Sequence, residues 1–425
     1  MIGRSLLPRF VTLATVALCT TTSVAAAADT KWSGDTAYKN RNPSIAWGSA
    51  AAANNGFVVW ENDRLGLLGR PLDADGNPAG AIVTLKANDP LPSVPGEGDV
   101  RLNKEPAVIA DRAGRLFVVW TEELVHIKTD IFYEDRQVLG RDVYAQVFDA
   151  AGAPVGAAFR VHADARGFQG RPGVARLARF RNADVAVVAW ESDGSGGGRE
   201  GVFARAFQIA PQSALTGELD VAVGAARRPA VAGGAASALF AWESAGTPIG
   251  NQDNRGLFAR ALDGETLALG KVSRVSNAAS TTPSQASLAV SPGGFLVAWT
   301  NAVTATKTRV LVRPLAADGV PSGPQRPVSS EAARAESAPT VASRGDRVAV
   351  LWLYWGRSLV EGVLAVEVDK KGNPGGVEEW LNEQLPSGSP YRPTVTITPS
   401  GSIVGAWQGP DSSGQWSIRS GKLDR

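Results

Sequence analysis

The stretch FVVWEN, residues 57–62, is an apolar run closed by a tryptophan and then an abrupt change to polar residues. The same phrase returns as LFVVWTEE (116–123), VAVVAWESD (185–193), ALFAWES (238–244), FLVAWTN (295–301), VAVLWLY (348–354) and IVGAWQG (403–409). The closing tryptophans are Trp60, Trp120, Trp190, Trp242, Trp299, Trp352 and Trp407, spaced 52 to 70 residues apart, so the chain reads as seven units of similar length. An apolar run of this kind fits a strand covered on both faces, with the indole filling the wide space near its end. A residue repeated at one place in every unit is read as packing rather than as a sugar-binding surface.

Each unit opens at a proline that suits a strand entry because it lacks an N–H donor: Pro43, Pro106, Pro172, Pro229, Pro283, Pro339 and Pro393. A short apolar segment such as AVIA (107–110) and a turn such as DRAG (111–114) lead into the phrase, which predicts a tight hairpin. A variable loop follows, then a third segment such as GVFARAF (201–207), a turn such as DADGNPAG (73–80) with glycine and proline at fixed offsets, and a fourth segment such as AAFRVH (157–162). Four short strands in seven repeats, with no helical periodicity, predict an all-β, seven-bladed β-propeller of four-stranded antiparallel blades. A row of sandwich domains is the competing architecture, but a unit of this size is small for one. The seventh unit stops after its third strand, near QWSIRS (415–420), and TKWSGDTAYKNRNPSIA (30–46) aligns with FRVHADARGFQGRPGVA (159–175). Residues 30–34 are therefore expected to complete the last blade and close the ring, leaving no open edge at the seam.

The repeat resembles those of secreted bacterial propellers with the pattern apolar-apolar-Trp-Glu-Ser, then Ala-Gln/Arg-x-Phe-Asp, then Gly-x-Pro-x-Gly and Phe-Arg-Val. The resemblance spans nearly the whole chain after its first residues, is best in units two to four, weakest in unit six (VAVLWLYWG), and implies architecture rather than activity.

The first 28 residues, with Arg4 and Arg9 ahead of an apolar stretch and Ala26 and Ala28 at its end, read as a secretory signal peptide, leaving residues 29–425 as one propeller domain. Export to the periplasm or the outside follows, with no membrane span and a monomeric chain expected. Removing the leader takes away Cys19 and Met1, the sole cysteine and methionine, which excludes disulfides and thiolate chemistry. The chain has 43 Lys and Arg against 41 Asp and Glu, and no basic tail, which argues against nucleic acid.

Chain direction alternates within a blade, so the loops after second and fourth strands share one face, where 121–141, 191–200 and 243–255 differ most. Loop 121–141 holds the candidate ligand-binding residues Glu122, Glu123, His126, Asp130, Tyr133, Glu134 and Arg136; its alternation also fits a protruding hairpin. The only histidines, His126 and His162, have no zinc spacing, and DADG (73–76) loses its acids in other units, so no metal and no cofactor is expected. RGD (344–346) falls on a hairpin turn. The residues after the seven tryptophans (Glu61, Thr121, Glu191, Glu243, Thr300, Leu353, Gln408) vary in step with a third-strand column (Arg70, Gln146, Arg205, Arg260, Arg313, Val366, Arg419), which suggests Glu–Arg pairs. The leading functional expectation is a non-enzymatic binding module for a protein or glycan. The second is a carbohydrate-active enzyme, a glycoside hydrolase or lyase, using carboxylates at the channel mouth.

Overall fold

In the computed structural model, residues 30–34, 38–48, 56–130, 132–180, 183–246, 255–277, 282–304, 307–329, 335–355, 361–382, 390–410 and 414–424 are described. The proposed leader lies outside them, as do 247–254 of the third variable loop. Seven antiparallel sheets follow one another along the chain, each built outward from a first strand: Asn40–Trp47, Gly96–Ala110, Gln169–Phe180, Ala226–Gly233, Pro283–Ser291, Ala335–Arg344 and Tyr391–Ile397. Each first strand touches the next, and the seventh touches the first, so the seven line a central channel and the architecture is a closed seven-bladed β-propeller. Six sheets have four strands; the third has five, because Ser213–Ala214 and Leu219–Val223 both pair with Glu200–Gln208.

The ring closes as the unmatched seventh unit requires. Thr30 pairs with Ser420 and Lys31 with Arg419, and the Trp32 N–H donates to the Ile418 carbonyl at 2.8 Å. Trp32 is buried with Val58, Trp60 and Leu68 of blade one and Ile418 of blade seven, so the N-terminal strand is also a core element between the first and last blades.

The seven repeat tryptophans are at most 3% exposed. They sit between blades, and three rest against a third-strand ring: Trp120 on Tyr144, Trp190 on Phe203 and Trp242 on Phe258, with centroids 6.1–6.3 Å apart. On the face of the Gly/Pro turns, Asp73 Oδ1 accepts the N–H groups of Asp75 and Asn77, and Asp149 and Asp369 do the same in their own turns. The Asp73 carboxylate is thereby occupied as a turn cap.

The expected Glu–Arg pairs do not form. Arg205 lies opposite Val188, three residues from Glu191, and its guanidinium donates to two carbonyls, Thr216 in its own blade and Val161 just past the fourth strand of the preceding one. Arg70, Arg260 and Arg313 repeat this clamp on Gly80 and Trp32, Gly270 and Val221, and Gly323 and Val275. A fork of fixed N–H donors suits two carbonyls on adjacent sheets, so this column ties blade to blade.

Candidate functional site

Every first strand is interrupted by a β-bulge at the same place, where its register against the second strand slips. One residue of each bulge is left-handed, with φ between 46° and 56°: Asn42, Glu105, Arg171, Arg228, Gln285, Ala338 and Arg392. Non-glycine residues avoid this region, and such strain persists where the surroundings hold it. In six bulges the next residue is the repeat proline; in the fifth it is Ala286, so Pro283 is not the structural equivalent of the other six prolines.

Six of the seven bulges are held by a hydrogen bond across the blade seam. Glu105 N–H donates to Glu61 Oε2 (2.8 Å), Arg171 N–H to Glu105 Oε2 (3.1 Å), Arg228 N–H to Glu191 Oε2 (2.7 Å) and Gln285 N–H to Glu243 Oε1 (2.5 Å). Ala338 N–H continues the ring to Gln285 Oε1 (2.9 Å), and Asn42 N–H to Gln408 Oε1 (3.0 Å). This explains the column of residues after the tryptophans. Where the second strand carries Thr121 or Thr300, the acceptor sits on the first strand, as Glu105 or Gln285, and the threonine hydroxyl donates to it. Blade six has Leu353 and Ala338 at the two positions and offers no acceptor on either strand.

Six of the seven bulge residues line one cavity of about 410 Å³, the neck of the channel, and a cavity of about 550 Å³ on the loop face shares Asn42, Glu105, Arg171 and Arg392 with it. Five carboxylates, Glu61, Glu105, Glu123, Glu191 and Asp193, face this loop-face cavity together with six cationic side chains, Arg171 and Arg392 among them, while Tyr391 and Trp416, 5.4 Å apart, form an aromatic wall on blade seven.

The carboxylates differ in setting. Glu61 is 6% exposed, and burial pushes its carboxyl above the usual range even though Oε2 accepts from Glu105 N–H and from Asn42 Nδ2. Glu105 is partly open, and each of its recorded partners is a donor or a cation: Arg171 N–H, the Thr121 hydroxyl and, at 3.8 Å, the Arg392 guanidinium. Glu123 is spent on Lys104 and Arg141 (2.7 Å). Glu191 takes the Arg171 guanidinium at 3.1 Å. Two neighbouring carboxyls, one buried and raised and one more open beside a guanidinium, are the arrangement that general acid and base chemistry uses.

Of the loop residues singled out from sequence, only Glu123 lines this cavity. The others ride on an extension of blade two, where Leu116–Thr129 and Glu134–Phe148 continue as a hairpin with Thr129 opposite Glu134. Glu122 lies 3.5 Å from Arg101, His126 is set between Asp99 (2.7 Å) and Glu97 (3.1 Å), and Asp130, Tyr133, Glu134 and Arg136 lie at the tip. His162 is buried, its Nδ1 on the Asp164 carbonyl. Among the described residues, no group of three His, Cys, Asp or Glu is disposed to hold a metal ion, and no helix is long and apolar enough to cross a membrane.

The neck residues were not among the sequence candidates. Their signal was present: in six units the residue before the aligned proline is Asn, Glu, Arg, Arg, Ala or Arg, a variable position beside a constant one.

No protein-family model and no curated protein matches the chain. Among solved structures, a protein of unknown function from Dyadobacter fermentans is similar over 76% of this chain and 95% of its own, at 12% identity and a TM-score of 0.52. An intramolecular trans-sialidase from Ruminococcus gnavus covers 91% of this chain and 94% of its own (10%, TM-score 0.45), and an α-L-arabinanase from Penicillium chrysogenum 91% and 93% (10%, TM-score 0.42). Likeness at this level concerns the propeller fold. The non-enzymatic binding module expected from sequence is corrected by the site itself: the carboxylates gather at the channel mouth, where the second expectation placed them, rather than on the extension.

Proposed function

We propose that this protein is a carboxylate-dependent carbohydrate-active enzyme, a glycoside hydrolase or lyase, working at the loop-face mouth of its channel, and that it is exported. The observation that carries the reading is the contrast between Glu61 and Glu105 on adjacent blades. Glu61, whose protonated form burial favours, is the proton donor; both its recorded bonds fall on Oε2, which leaves Oε1 for a ligand. Glu105, which accepts from Arg171 N–H and the Thr121 hydroxyl and has the Arg392 guanidinium at 3.8 Å, is the base or nucleophile, and Tyr391 and Trp416 offer a stacking surface for a sugar ring.

The repeat supplies its own structural controls. Gln408 and Gln285 already perform the seam bonds that Glu61 and Glu105 make, so Glu61→Gln and Glu105→Gln keep the ring while removing the acid and the base. Purified protein is to be screened against a panel of polysaccharides for new reducing ends or unsaturated sugars. Both variants are expected to lose turnover with their melting temperatures unchanged. Glycan bound at the mouth without any bond cleaved, or turnover unaffected by both changes, overturns the reading.

A further inference from the structure

A second cavity, about 440 Å³, lies beside the first over blades three to five and shares Arg171 with it. Its lining brings together four guanidinium groups from three strands: Arg171, Arg227, Arg228 and Arg255. Among the described residues one carboxylate, Glu243, lines this cavity with them, while Glu191 holds the Arg171 guanidinium from outside it, and the remaining polar lining is the hydroxyls of Ser244, Thr282 and Ser284. Glu243 is largely covered, 3.3 Å from Arg228, and burial raises its carboxyl above the usual range. Arg227 has only a long contact, 3.8 Å to Glu200, and its side chain is 64% exposed. Across the whole chain basic and acidic residues nearly balance, so four arginines around one hollow are a local excess. Guanidinium forks and hydroxyls are the donors that carboxylate and sulfate groups take, and a low-dielectric hollow strengthens the attraction.

The position matters as much as the charge. The mouth cavity runs from Tyr391 and Trp416 on blade seven past Glu61 and Glu105 to Arg171, and the basic cavity continues it from Arg171 onto blades four and five. A ligand filling both is longer than one sugar, stacked at one end and anionic at the other. We infer that the basic cavity is an anion subsite of the same groove, and that the substrate is an acidic polysaccharide, bearing uronate carboxylates or sulfate esters some sugars away from the bond that is cleaved. This rests on the enzyme reading above for the word substrate, but not for the binding itself.

The test is calorimetric titration of the full-length Glu105→Gln protein with three hexasaccharides: a galacturonic acid hexamer, a chondroitin sulfate hexamer and a neutral galactan hexamer. At least one acidic hexamer is expected to bind roughly tenfold or more tightly than the neutral one, a margin that charge-assisted hydrogen bonds supply and that added salt erodes. Which acidic hexamer wins separates carboxylate from sulfate. Arg227→Ala with Arg255→Ala removes the margin at unchanged melting temperature and unchanged neutral affinity; the paired Lys substitutions restore part of it, and Lys371→Ala on the opposite face has no effect. If neither acidic hexamer outbinds the neutral one, or the margin survives the double alanine change, the subsite does not exist. Cleavage of neutral glycans without acidic preference overturns this inference and leaves the enzyme standing; acidic binding without cleavage of any glycan does the reverse.

Discussion

The Gly/Pro turns on one face of the ring, which four blades share, and the bulges at the neck, which all seven share, are both repeated devices, yet they use side chains in opposite ways. On the turn face the same residue does the same work: Asp73, Asp149 and Asp369 cap their own turns, and Gly76, Gly152, Gly319 and Gly372 supply φ values of 77–89°. At the neck the backbone does the repeated work, because in six blades the strained residue contributes its N–H to the seam, while its side chain differs from blade to blade and serves as a seam acceptor only in Glu105 and Gln285. The side chains there are Asn, Glu, Arg, Arg, Gln, Ala and Arg. A position whose backbone is fixed and whose side chain the fold lets vary is where a propeller can carry chemistry without losing its ring.

If that contrast is right, changes at the neck alter activity and changes on the turn face alter stability. The largest effect is expected for Glu105→Gln, which should lower turnover by about 10²–10⁴-fold, the usual worth of a general acid or base, with the melting curve unmoved. Next comes Trp32→Ala at the closing seam, where a fully buried indole is removed from between blades one and seven; chemical denaturation should show a loss of about 3–5 kcal/mol. Gly152→Ala should cost about 1–3 kcal/mol without touching activity, since φ is 89° and a Cβ there would stand 2.7 Å from Val83 Cγ2.

A sharper test concerns the seams. Glu191→Gln should be close to neutral in stability, as Gln408 is in its own seam, whereas Glu191→Leu imitates blade six and strands the Arg228 N–H, costing about 1–3 kcal/mol. Equal effects of the two would show that the seam bond contributes nothing.

The smallest effect is in the pH dependence. Burial raises Glu61, Glu243 and Glu336, so the stability linked to their protonation is fully present below the unfolded value of 4.5 and is lost as pH rises through the raised folded values. Asp164, pulled down to about 2 by Arg166, and Asp73, Asp263 and Asp369, lowered by turn hydrogen bonds, act oppositely: their contribution exists above 3.8 and disappears as pH falls through their folded values. Thermal melts between about pH 3 and 8 should therefore peak in the mildly acidic range, and Glu243→Gln should flatten the decline toward neutral pH.

Much of the architecture was legible because strand pairing inside a blade is local. The alternation of apolar phrase, turn and third segment specifies each hairpin, and the missing fourth strand of the seventh unit pointed to Thr30 and Lys31. The site was less legible. The alternation of 121–141 indicated a hairpin, but the sequence has no mark telling that Glu123 would face the channel while His126 would not. The Glu–Arg column misled because covariation of two columns records that both meet a neighbouring blade, not that they meet each other.

The sequence by itself determined the number of blades, their strand order and the closure of the ring, since each follows from contacts between residues close in the chain or from counting strands. Only the tertiary structure decided that Glu61 holds the strained backbone of Glu105 and Glu105 that of Arg171, and that Arg171, Arg227, Arg228 and Arg255 surround one hollow. Those partners lie on different strands or blades, and their meeting depends on a bulge that turns one residue left-handed and on how closely one sheet packs against the next. The period of a strand does not encode that distance between sheets.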